Sequence, residues 1–175
     1  RYLVTFQSVD DASGLDVNAP TGSIFSVIRA RPGVAQPALA DFLDAEATLA
    51  CAGYALYGPA AVLVLTLGKG THGFTLDRPA QAWVLTHRYL RIPHFGQEFA
   101  IDTSRARSWE PAVRRYVDEC LAGTRGPRAR DSTLRSMASP VAELHRILVC
   151  GGVFIAPRHN PTPAHEGPLR LVAEA

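Results

Sequence analysis

The chain begins with a run that is apolar and β-branched or aromatic, "YLVTF" at 2–6, the signature of a buried strand. "DDASGLD" at 10–16 follows, built from residue types that tolerate tight turns, and "GSIFSVIRA" at 22–30 reads as the returning strand. "RPGVAQP" at 31–37 is a loop by its Pro and Gly. Strong helix formers from Ala38 to Ala52 predict helix over part of that stretch, with Gly53 and Gly58 as punctuation. Three strand-like runs come next, 60–67, 72–77 and 82–89, separated by "GKG" and "RPAQ". Connections this short predict an antiparallel meander.

The second half changes period. "SWEPAVRRYVDECLAG" at 108–123 opens on Ser-x-Glu-Pro and stops at Gly. It places Val113, Tyr116, Val117, Cys120 and Leu121 on one helical face. "SPVAELHRILVCGG" at 139–152 repeats the design, with Ser139 as N-cap, Pro140 in the first turn and Gly151 as the stop. Val141, Leu144, Ile147 and Leu148 form its expected core stripe. "VFIAP" is a short strand and "NPTPAHEGP" a loop. A meander joined to such helices predicts an α/β (α+β) layered sandwich, with 1–175 as one region. The chain opens on Arg1 and stops at "LRLVAEA", so a fragment of a longer protein, incomplete at both ends, is expected.

Composition adds exclusions. With 47% hydrophobic and 19% charged residues the chain can build a core. A net charge of +2 argues against nucleic acid as a partner. The single basic cluster, "GTRGPRARDSTLR" at 123–135, reads either as a solvated loop or as a loop reaching an anion. No apolar run is long enough to span a bilayer, so no membrane partner is expected. Cys51, Cys120 and Cys150 form no C-x-x-C pair and suggest buried free thiols in a reducing cytoplasm. "LGKGTHG" lacks the spacing of a phosphate-binding loop and reads as a hairpin turn. His145 lies beside a core stripe and is expected to be structural.

Asp10, Asp11 and Asp16 at a strand end carry the candidate chemistry. Carboxylates fixed by a strand suit Mg²⁺, which takes oxygen ligands, and the amides of a following turn suit phosphate. The same residues also suit an Asp-rich turn bonded to its own backbone.

The stretch "FQSVDDASGLDVNAPTGSIFSV" resembles the hallmark of class I fructose-1,6-bisphosphatases, Phe-Asp-Pro-x-Asp-Gly-Ser-Ser-Asn-x-Asp. "AGYALYGPAAVLVLTLGKGTHGFTLD", "SPVAELHRILVCGGVFIAP" and "EGPLRLVAE" resemble the same family in the same order. The resemblance implies the sugar-phosphatase fold and hydrolysis of fructose 1,6-bisphosphate with Mg²⁺. It also implies a cytoplasmic homotetramer working in gluconeogenesis or the Calvin cycle. It places Asp10 and Glu174 on metal-ligand carboxylates, the Val9 carbonyl on a further ligand, and Gln7 where the family has a ligand Asp. Asp11, Ala12 and Ser13 fall in the phosphate-binding turn. Asp102 falls in the sugar site and Arg170 on a substrate-contacting cation. Arg135 falls on the arginine that reaches a neighbouring subunit's site.

Departures from the pattern matter equally. Asp11 stands for the hallmark Gly, and Ala12 and Gly14 stand for Ser and Asn. Arg105, Ser136 and Ala156 stand for tyrosines, and Pro168 for a lysine. Gln7, Asp11 and Ala156 support an alternative, a catalytically impaired paralogue that binds sugar phosphate or regulates an active partner; a third reading is a related inositol or sedoheptulose phosphatase, although "AGYALYG" and "HRILVCGG" resemble the fructose-bisphosphatase branch more than the inositol one.

Overall fold

The computed structural model describes residues 1–30, 38–42 and 48–157. β1 (Tyr2–Gln7) and β2 (Thr21–Arg29) pair antiparallel around a 3-10 turn at Ser13–Val17, as their apolar runs predict. After a short α1 (Leu39–Phe42) come β3 (Leu49–Tyr57), β4 (Ala61–Thr66), β5 (Thr71–Asp77) and β6 (Ala82–Leu90). These six strands form one antiparallel sheet in sequence order, of which β4, β5 and β6 are the expected meander. "GKG" is its hairpin turn, with Gly68 and Gly70 at φ 86° and 103°, where glycine is the easy residue.

One expectation fails here. The helix formers up to Ala52 do not continue the helix, because β3 already begins at Leu49 and Gly53 lies inside it. The reason is a close approach. A Cβ at Gly53 would meet the Val64 carbonyl oxygen at 2.5 Å, so strand contacts override local helix propensity. The loop at 31–37, part of 38–52 and the loop at 160–168 lie outside the described residues.

The second half builds β7 (Glu98–Ile101), α2 (Pro111–Leu121), β8 (Thr133–Leu134), α3 (Pro140–Cys150) and β9 (Val153–Ile155). β7, β8 and β9 form a parallel sheet in the order β8-β7-β9. Phe99 and Ile101 on one face of β7 pack with Val117 and Cys120 of α2. Glu98, on the alternate face, meets Arg146 of α3. On its other side α3 covers the large sheet, where Val141 packs with Tyr54 and Val64. The layers therefore run six-stranded sheet, α3, three-stranded sheet, α2, an α+β sandwich.

The stripe expected on α3 is corrected by this double burial. Leu144 is 42% exposed, while Ala142, Glu143 and Arg146 are buried. Charged positions off that stripe, Glu143 and Arg146, line the second contact. Leu121 is exposed as well, at the margin of the α2 stripe. Of the cysteines, Cys120 alone is buried, Cys51 is half-buried and Cys150 exposed. Among the described residues no helix is long and apolar enough to cross a membrane.

Candidate functional site

The turn after β1 brings the acidic stretch against the start of α3. Gly22 is what allows this approach, since a Cβ there would lie 2.4 Å from Val141 Cγ1. The backbone N–H of Asp10 donates to the Gly22 carbonyl at 2.9 Å and closes the turn. The Asp10 side chain is buried. Its Oδ1 accepts from Thr21 Oγ1 at 2.9 Å and from the Gly22 N–H at 2.7 Å. Its Oδ2 accepts from Ser139 Oγ at 2.5 Å and from the Val141 N–H at 2.7 Å. A carboxylate offers about four acceptor positions, so all are filled by protein donors. Burial pushes the carboxyl pKa up, but bonds from Ser139, Val141, Gly22 and Thr21 outweigh it and hold the group below its usual range. Asp10 is therefore ionised at neutral pH, facing the N-terminus of an 11-residue helix.

The neighbouring candidates are engaged with one another. Gln7 Nε2 makes a long hydrogen bond to the Val9 carbonyl at 3.4 Å. Asp11 Oδ1 accepts from Ser13 Oγ at 2.6 Å, and Thr21 Oγ1 also reaches the Asp11 carbonyl at 3.3 Å. Ala12 begins the 3-10 turn and is exposed. A Cβ on Gly14 would stand 2.7 Å from Asp11 Oδ2. The two departures from the family hallmark are thus spatially coupled: Asp11 tucks into room that Gly14 leaves open. Asp16 is exposed within the 3-10 turn.

A divalent cation such as Mg²⁺ needs several oxygen ligands converging on one point. Gln7 is neutral, Asp10 has its acceptor positions filled, and Asp11 bonds Ser13 through Oδ1 while its buried Oδ2 has no hydrogen-bond partner among the described residues, so of these three one carboxylate alone is open to a cation. Among the described residues no group of three or more His, Cys, Asp or Glu is placed to hold a metal ion. The described residues by themselves do not fit Mg²⁺. Glu174 and Arg170 lie outside the described residues, as does Pro168.

The remaining candidates lie along the small sheet. Asp102, just past β7, caps the 3-10 segment Thr103–Ser108 by accepting from the Ser104 N–H at 3.0 Å, and it pairs with Arg105 at 3.5 Å. Arg135 follows β8 and donates from Nε to Glu98 Oε1 at 2.9 Å. In the basic cluster, Arg128 pairs with Glu119 at 3.2 Å and stacks over the Tyr116 ring. Ser136 and Ala156 are exposed.

Sequence reasoning did not find the charge network behind Arg135. Glu98 bridges Arg135 and the buried Arg146, whose Nη1 lies 2.7 Å from Glu98 Oε2. Arg146 Nε also bonds the fully buried Glu143 at 2.9 Å, and Glu143 accepts from the Met137 N–H. The hydrogen bond from Arg146, opposed by burial and helped by the Arg135 charge, holds the Glu98 carboxyl below its usual range. The available signal was an acid and a base three apart on a helix, Glu143 and Arg146. His145 is structural as expected: Nδ1 lies 3.0 Å from the Tyr54 hydroxyl.

Comparison with known proteins places this geometry. The family model of the fructose-1-6-bisphosphatase N-terminal domain matches residues 1–88, and that of the C-terminal domain matches 92–175. The chain is 53% identical over 175 residues to a class 1 fructose-1,6-bisphosphatase of Methylibium petroleiphilum, covering all of this chain and 49% of that protein. It is 53% identical over 174 residues to the class 1 enzyme of Hydrogenophilus thermoluteolus, covering 99% of this chain and 48% of that one. The chain spans about half the length of the curated relatives it matches. Among solved structures, the holo form of Leishmania major fructose-1,6-bisphosphatase superposes with a TM-score of 0.80 at 31% identity. That superposition covers 90% of this chain and 49% of that one.

Proposed function

Because the chain belongs to the fructose-1,6-bisphosphatase family, we propose that the whole protein hydrolyses the 1-phosphate of fructose 1,6-bisphosphate to fructose 6-phosphate and phosphate. The observation that carries this reading is 53% identity sustained along all of the chain. In this reading Ser13 and the amides near Ala12 face the 1-phosphate. Asp102 serves the sugar, and Arg135 and Arg170 serve the 6-phosphate end. The setting it carries is a cytoplasmic homotetramer in gluconeogenesis or the Calvin cycle, with 1–175 acting as one region.

Mg²⁺ is the cofactor of this reading. The donor set around Asp10 does not fit it, so the carboxylates that hold a cation would come from elsewhere in the whole protein, Glu174 among them. The residues described do bind and orient charge: the Arg135 guanidinium is held at a defined place by Glu98.

A second reading is favoured by one specific observation. Asp11 adds a negative charge to the turn expected to face phosphate and packs into the space left by Gly14. That supports a catalytically impaired paralogue that binds sugar phosphate or regulates an active subunit. The test is Mg²⁺-dependent phosphate release from fructose 1,6-bisphosphate by the full-length protein, beside the Gln7→Asp, Asp11→Gly double variant. Turnover by the natural protein upholds the first reading. Turnover by the double variant alone transfers support to the second.

A further inference from the structure

We propose that Asp10 is a structural latch in this protein and not a cation ligand: its carboxylate fastens the turn after β1 to the first turn of α3. It takes two bonds from its own turn, through Thr21 and Gly22, and two from residues 129 and 131 positions away, Ser139 and Val141. Ser139 is itself the N-cap of α3, and its Oγ also accepts from the Ala142 N–H at 3.0 Å. The hydroxyl therefore relays the helix start to the carboxylate. A cation ligand must turn a lone pair toward the ion. Here that would strip a buried N–H or hydroxyl of its acceptor, which is costly where water cannot replace it.

The surroundings support the same assignment. The helix N-terminus supplies the positive end that balances the charge, so no metal is needed to keep the carboxylate ionised. Gln7 brings no charge to share an ion, and Val9's carbonyl is already contacted by the Gln7 amide. Asp10 thus performs for the fold what a charged N-cap does for a single helix, but across two layers of the molecule.

The inference rests on the functional reading only for the choice of cation, and its test separates the two. Full-length natural protein, Asp10→Asn and Ser139→Ala are titrated with Mn²⁺ followed by its paramagnetic resonance signal, and melted in parallel. The latch predicts that both variants lose several degrees of melting temperature while Mn²⁺ affinity stays within twofold of the natural protein. Mn²⁺ binding weakened tenfold or more by Asp10→Asn overturns it. If Asp10→Asn does not fold, Ser139→Ala decides, because it keeps the carboxylate: an unchanged melting temperature overturns the latch. Phosphate release from fructose 1,6-bisphosphate in the same samples reports the functional reading independently. An inactive protein with the predicted melting pattern keeps the latch and loses only that reading.

Discussion

A single carboxylate, Asp10, joins segments that the chain order keeps far apart. In Asp10→Asn one oxygen becomes an NH₂ group and faces existing donors, either Thr21 and Gly22 or Ser139 and Val141. We expect a loss of about 3 kcal/mol, the range for a charge-assisted buried bond replaced by a mismatched one, read by urea unfolding. His145 gives a pH signature at the same scale. Burial, with the neighbouring His87 charge, holds its imidazole below the usual value of 6.5. The folded state therefore resists a proton that the unfolded chain accepts. The contribution is whole above about pH 6.5 and is lost as pH falls through the lower folded value. Unfolding free energies between pH 7 and 5 should fall less steeply in His145→Gln than in the natural protein. Sequence alone singled out both residues, and placed His145 in its structural role. What it did not show for Asp10 was the pair of donors on α3, because nothing local to residue 10 points to residue 139.

At the scale of elements, the helices and strands divide by how their stability is written. α3 was legible at its ends, where Ser139, Pro140 and Gly151 act through bonds only a few residues long. Its faces were not, because burial of Glu143 and Arg146 depends on β7 presenting Glu98. Breaking such a buried pair leaves an uncompensated charge. Glu143→Ala is expected to cost about 3–5 kcal/mol, measured by denaturant melts. Changing exposed Leu144 to Ala on the same helix should cost far less, although apolar periodicity ranks it as core. β3 fails as a sequence reading for a related reason. Its alanines and leucines favour helix, but pairing with both β2 and β4 overrides that local preference.

Across the whole molecule, α3 is the layer on which both sheets depend. It touches β2 and β3 on one side and β9 on the other. Gly22→Ala tests this directly, since the new Cβ would sit 2.4 Å from Val141 Cγ1 and 2.8 Å from the Ala55 carbonyl oxygen. Backbone cannot yield on one side, so α3 must shift; overpacking of this kind costs about 3 kcal/mol. A drop in melting temperature matched by loss of near-ultraviolet circular dichroism is the expected result. The family membership, the β4–β6 meander, the ends of α2 and α3 and the identity of the acidic turn were all set by the sequence, because turn chemistry, capping and alternation act between residues a few positions apart. Only the tertiary structure decided which way Asp10 points, that Glu98, Arg135, Arg146 and Glu143 form one network, and that Asp11 and Gly14 fit each other. Those outcomes are fixed by layers meeting in space, and no short-range pattern along the chain carries the distance between them.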